Sequence, residues 1–232
     1  MTRGLSTLLL SLALLLAGPQ ARAASFTISG ITFSDELGGF RLISVTGTGT
    51  TEDPIIVVEE ITGDGPAILV IRTAQNFQDR RLSWSFPSFF SLSIVKVVFN
   101  RSGQRWSAFD LELREILETP SDYSDGLSFG QMFGSTRRLE ADRFEGWRQL
   151  DEPADRITFF GGSVEEGESA RFRFLITDPT RKETFYLLQE PRIVVARALP
   201  GPQRRQDALL PSPVSQGGPL RYLVSHDLLE RR

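Results

Sequence analysis

Between Ser25 and Arg197 the apolar residues recur at every second position, and no long stretch repeats at every third and fourth. A period of two is the spacing of a strand with one buried face; a helix needs a period near 3.6. The clearest case is Arg105 to Ile116, where Phe109, Leu111 and Leu113 alternate with Asp110, Glu112 and Arg114. Ser169 to Thr177 repeats it, with Phe172, Phe174 and Ile176 opposite Arg171 and Arg173. Further strands are expected at Phe40–Val45, Pro54–Ile61, Ala67–Thr73, Arg81–Phe86, Phe90–Phe99 and Arg156–Phe160, with two more before Arg197. Short strands separated by Gly, Asp, Pro and Ser clusters belong to an all-β fold. The expectation is one antiparallel β-sandwich, Ig-like or jelly-roll, over residues 24–197. Phe109, Leu111, Leu113, Phe172, Phe174, Val57 and Leu69 should line its core.

Two glycine-rich turns need a decision. Gly47 to Pro54, "GTGTTEDP", invites comparison with a phosphate loop. Such a loop needs a lysine beside Ser or Thr and a helix behind it. Here Pro54 and a β-branched run follow, so the stretch should join two strands. Thr62 to Pro66, "TGDGP", should close a hairpin between Pro54–Ile61 and Ala67–Thr73.

The amino-terminal end reads as an export signal. Met1-Thr2-Arg3 is basic, Leu5 to Ala17 is a 13-residue apolar run, and Ala21-Arg22-Ala23 offers small residues around a cut. A bilayer span needs about 20 residues, so residues 1–23 are expected to be a signal peptide, cleaved near Ala23. No transmembrane segment is expected after cleavage. Arginine supplies 24 of the 26 basic residues, leaving two lysines. A GC-rich bacterial genome accounts for that ratio, and the expected location is periplasmic or secreted. Removing Arg3 and Arg22 leaves 24 basic against 29 acidic residues, a net of −5. That balance gives no basic face for nucleic acid, and no nucleic-acid partner is expected. The expected partner is an envelope protein or a glycan. Residues 198–232 hold Pro200, Pro202, Pro211, Pro213 and Pro219 and read as a flexible tail.

Absences restrict the chemistry. There is no cysteine, and the single histidine, His226, lies in the tail. A Cys nucleophile and a multi-His or Cys zinc site are therefore excluded, and a Ser-His-Asp triad would need the tail to return to the core. No catalytic residue, metal site or cofactor is assigned. Among carboxylates, Asp110 and Glu112 share a strand face at a rise of roughly 6.6–6.8 Å. That is a separation a glycosidase uses, and equally that of two acids on a solvated outer face beside Arg114. The leading expectation is a non-enzymatic binding or structural domain; the alternative is a carboxylate-based carbohydrate-active enzyme or a carbohydrate-binding module.

One segment breaks the strand rhythm. Residues 118–153 form a long connection rich in Gly, Ser and Asp but carrying several aromatics, and such loops are usually functional. Its second half, Arg137 to Leu150, can form a short helix. Tyr123, Phe129, Phe133 and Trp147 are the candidate ligand contacts, with Asp122 and Asp125 placed to orient a hydroxyl-rich ligand. Asp122, Ser124 and Asp125 also offer oxygens to calcium, without the EF-hand spacing. The competing reading makes the segment a plug that buries Phe133, Phe144 and Trp147. Gly63 to Arg72, "GDGPAILVIR", and Phe159 to Pro179, "FFGGSVEEGESARFRFLITDP", resemble stretches of exported bacterial β-sandwich domains, the second resembling their final hairpin. The resemblance is one of texture over Ala24 to Arg197 and carries no site residues.

Overall fold

The computed structural model describes residues 23–74, 90–121, 123–130, 138–150, 154–180 and 182–193. The expected signal segment, the strand expected at Arg81–Phe86 with Trp84, Asp122, Phe133 and the proline-rich tail lie outside these residues.

Two sheets face one another. The first holds β1 (Ser25–Ile28), β2 (Ile31–Ser34), β5 (Ala67–Thr73), β12 (Thr184–Ile193), β7 (Trp106–Arg114), β10 (Arg156–Phe160) and β9 (Gly146–Leu150), in that spatial order. The second runs β3 (Phe40–Thr46), β4 (Ile55–Ile61), β6 (Phe90–Asn100), β11 (Ser169–Asp178) and β8 (Glu140–Ala141). The all-β sandwich read from the period-two pattern is the observed architecture. Every residue assigned to the core is buried: Val57, Leu69, Phe109, Leu111, Leu113, Phe172 and Phe174. Phe172 sits at the centre of an aromatic cluster, with ring centroids at 4.7 Å from Phe109, 5.0 Å from Phe159 and 5.9 Å from Phe144.

The first two strands form a tight hairpin. Its two-residue turn has Ser29 at φ 53° and Gly30 at φ 78°, the doubly positive turn whose twist matches antiparallel strands. Gly47 to Pro54 joins β3 to β4, which pair antiparallel. The amides of Thr48, Gly49 and Thr50 all donate to the carbonyl of Asp53, at 3.1, 2.8 and 3.2 Å. Donors committed to the loop's own carbonyl leave no cradle for a phosphate. Gly47 takes φ +94°, and a Cβ there would lie 2.0 Å from the Pro54 carbonyl oxygen.

Four expectations are corrected. Thr62 to Pro66 closes no hairpin, because β4 and β5 belong to opposite sheets and the turn carries the chain across the core. Both strands have a buried face, and each buries it by facing the other sheet. The final hairpin suggested for Phe159 to Pro179 is also a crossing, from β10 in one sheet to β11 in the other. The sandwich is not wholly antiparallel: β4 and β6 pair parallel, from Ile55 with Ile94 to Ile61 with Asn100. With β5 in the other sheet between them in sequence, the chain returns to β4 in the same direction. Finally, Glu140–Ala141 and Gly146–Leu150 are strands, and no helix forms between them. Gly146 costs a helix about 1 kcal/mol, and β9 instead extends the sheet by pairing along all five residues of β10. A single turn of 3-10 helix, Tyr123–Asp125, is the helical element of the excursion among the described residues.

β12 runs through Pro191 near the centre of its sheet. Its pairing with β5 ends at Gln189, while pairing with β7 continues past Pro191. The missing N–H therefore falls where one neighbour has already left, which is where a strand tolerates proline.

Candidate functional site

The polar side of β7 forms the site. Antiparallel register lines up a row of residues on the outer face of the seven-stranded sheet: Glu190 of β12, Asp110 of β7, Thr158 of β10 and Arg148 of β9. The next row holds Glu112 and Arg156 in register. Opposite charges placed directly across strands stabilise the pairing.

Asp110 and Glu112 are on the outer face, as the alternation requires, but they are not solvated. Their residues are 2% and 3% exposed, because long arginines from three strands lie over them. Arg192 donates to Asp110 Oδ2 through Nε at 2.9 Å and Nη2 at 2.5 Å. Glu112 receives Arg114 Nε at 2.6 Å and Arg156 Nη2 at 2.9 Å. Glu190 lies 3.7 Å from both Arg156 and Arg192. Hydrogen bonding to Asp110 holds the Arg192 guanidinium above its usual value. The network leaves a donor and an acceptor over: Arg156 Nε and Asp110 Oδ1 are buried and make no hydrogen bond within the protein.

Above these groups runs an open groove of about 730 Å³. Ala108 and Asp110 form part of its floor, Arg192 one side, and Arg156, Thr158 and Phe160 the next strand; Arg148 and Gln149 close it on the edge strand. Phe160 is 43% exposed. Arg148 has no carboxylate partner among the described residues. Such a surface can grip a carboxylate through a guanidinium fork, bond hydroxyls through Thr158 and the floor, and offer a ring face.

Among the described residues, the excursion contributes to this groove through β9. Trp147, 39% exposed, stands beside Arg148 on the edge strand. Phe129 is fully buried and packs edge-on against Phe174 at 5.6 Å, which leaves it no surface for a ligand. It is carried by Ser128, which bridges Thr177 of β11 in the other sheet with backbone bonds of 2.8 and 2.9 Å. Asp125 Oδ1 accepts the Leu127 amide at 2.9 Å and shapes the turn behind Tyr123. Phe144 is buried against Phe172. The candidates are thus divided between two sheets and do not converge on one surface. Asp122 and Phe133 lie outside the described residues. Arg148, Arg156, Thr158 and Arg192 escaped the sequence reading. The usable signal was parity: each falls on the polar positions of its strand, as Asp110 does on β7.

Comparison with known proteins finds no matching family, no matching curated protein and no matching solved structure.

Proposed function

We propose that this chain is an exported, non-enzymatic bacterial binding domain that holds an acidic glycan in the groove on its seven-stranded sheet. The observation that carries the reading is the meeting of a guanidinium without a carboxylate partner among the described residues, Arg148, a hydroxyl, Thr158, and an exposed ring, Phe160, around one groove. A uronic acid offers a carboxylate for the first, hydroxyls for the second and an apolar ring face for the third. Loops and edges on a rigid sheet scaffold are common places for binding. Calorimetric titration with uronate-containing oligosaccharides, against neutral ones of equal length, tests this. Acidic glycans should bind, more weakly at high salt, and Arg148→Ala should weaken them about tenfold, equivalent to about 1.4 kcal/mol. Equal silence from both glycan sets removes the reading.

The enzymatic alternative has less support. Asp110 and Glu112 adjoin the groove, but both are engaged by arginines, whereas a glycosidase acid must hand over a proton. Turnover of any glycan that disappears in Asp110→Asn would favour it.

Export is supported by the start of the fold. Ala24, the first residue after the expected cut, donates its backbone N–H to Asp35 Oδ1 at 2.7 Å, and β1 begins at the next residue. Cleavage after Ala23 would make that nitrogen an ammonium beside a carboxylate. Amino-terminal sequencing of protein recovered from outside the cytoplasm should begin at Ala24; a chain that keeps Met1 overturns the export reading.

A further inference from the structure

The middle of the sandwich holds a lysine. Lys96 of β6 and Glu59 of β4 point inward from the five-stranded sheet, and Gln189 of β12 points inward from the seven-stranded one; all three are 0% exposed. Lys96 Nζ lies 2.7 Å from Glu59 Oε2, and Gln189 Nε2 lies 3.4 Å from the same oxygen. The second oxygens of both heads, Glu59 Oε1 and Gln189 Oε1, are buried and make no hydrogen bond. Phe172, in register with Lys96, places its aromatic cluster alongside. Packed sheets stand about 10 Å apart, and Lys96 and Gln189 reach the same Glu59 oxygen from opposite sheets.

A charged pair in such a place is costly to desolvate. Burial pushes the Glu59 carboxyl up and the Lys96 amine down, and both shifts favour the neutral form of the pair. In that form the amine is a nucleophile beside an undissociated acid. A guanidinium cannot lose its proton in a protein. In a chain with 24 arginines, one of the two lysines stands where only an amine can react.

We propose that Lys96 and Gln189 become joined, in the folded protein, by an amide bond between Nζ and Cδ, with Glu59 carrying the protons. The amine lone pair attacks Cδ of the carboxamide while Glu59 gives its proton to the carboxamide oxygen. Glu59 then takes a proton from the attacking nitrogen and delivers it to Nε2. The oxygen returns its proton to Glu59 as the carbonyl re-forms, the Cδ–Nε2 bond breaks with its electron pair going to nitrogen, and ammonia leaves. One amine and one primary amide give one secondary amide and one ammonia, and Glu59 ends as it began. The bond ties β6 to β12, and so one sheet to the other, in a chain that has no cysteine for a disulfide.

Peptide mapping of the purified, denatured wild-type chain tests this. Trypsin should leave residues 82–101 uncut at Lys96 and joined to residues 183–192, lighter by one ammonia than the two together. Lys96→Met and Gln189→Leu should release 183–192 as a free peptide, and so should Glu59→Ala, which keeps both reacting groups. Recovery from the wild type of free 183–192 with cleavage after Lys96 overturns the proposal without any variant needing to fold. So does a species lighter by one water that joins Lys96 to the Glu59 peptide. A cross-link that persists in Glu59→Ala overturns the role given to Glu59.

Discussion

A single residue in this protein is stabilised or stranded by the partner across the strand. Glu60 shows the favourable case: it points to the outer face of its sheet, with Arg41 Nη2 at 2.6 Å and Arg101 Nε at 3.7 Å. The hydrogen bond from Arg41 is the main reason its carboxyl is held below the ordinary value of 4.5. A carboxylate whose folded value is depressed lends stability that is present above its unfolded value and lost as pH falls through the folded one. Arg41→Met should therefore lower the urea midpoint at neutral pH, and the gap should close in acid as Glu60 takes a proton. A gap that is the same at both ends would mean that Arg41 acts through packing alone. Glu59, one position earlier, faces inward and meets Lys96. Two adjacent glutamates thus have opposite fates, decided by the alternation of the strand.

At the scale of elements, the long excursion resolves into parts with different work. The segment ending at Phe129 lies against β11, Phe144 caps the aromatic cluster, and β9 extends the seven-stranded sheet as its edge. The plug reading and the contact reading of this segment therefore apply to different residues. Phe129→Ala and Phe144→Ala should each cost about 3–5 kcal/mol, as deletions of buried rings do. Trp147→Ala should cost clearly less, because that side chain is more than a third exposed. Chemical denaturation of the three variants checks the order, and a Trp147 loss equal to the others would place it in the core. The β3–β4 connection is sensitive for another reason. Gly47→Ala would force a Cβ against the Pro54 carbonyl at a positive φ, and should cost more than the roughly 1–3 kcal/mol of backbone strain alone.

At the scale of the whole molecule, the order of strands makes folding depend on the end of the domain. β12 lies between β5 and β7, and its neighbour β7 also anchors the site. No sheet of this kind can close until residues 184–193 are in place, and pairings of such long sequence separation fold slowly. A chain ending before Thr184 should show no near-ultraviolet circular dichroism. A chain of residues 24–197 should keep the spectrum and denaturation midpoint of the full protein. Loss of structure in the second would show that the domain needs residues beyond 197.

Alternation alone, as at Phe109-Asp110-Leu111-Glu112-Leu113, was enough to determine strands, an all-β fold and which side chains enter the core. It works because a pleated strand sends neighbours to opposite faces whatever surrounds it. The excluded chemistries were equally legible, since a chain without cysteine and with a single histidine cannot supply a Cys nucleophile or a multi-His or Cys zinc site in any fold. Sheet membership was decided only by the tertiary structure: nothing local distinguishes a turn that closes a hairpin from one that crosses the core, as Thr62 to Pro66 does. The same holds for residues 140–150, whose helical tendency gave way to the unpaired edge of β10. The groove needed four strands in register to gather Arg148, Thr158, Asp110 and Arg192 from positions 10 to 82 residues apart. Lys96 and Gln189 met for the same reason. Their strands are far apart in sequence and lie in different sheets, and only the packing of one sheet on the other brings an amine and a carboxamide to the same carboxylate.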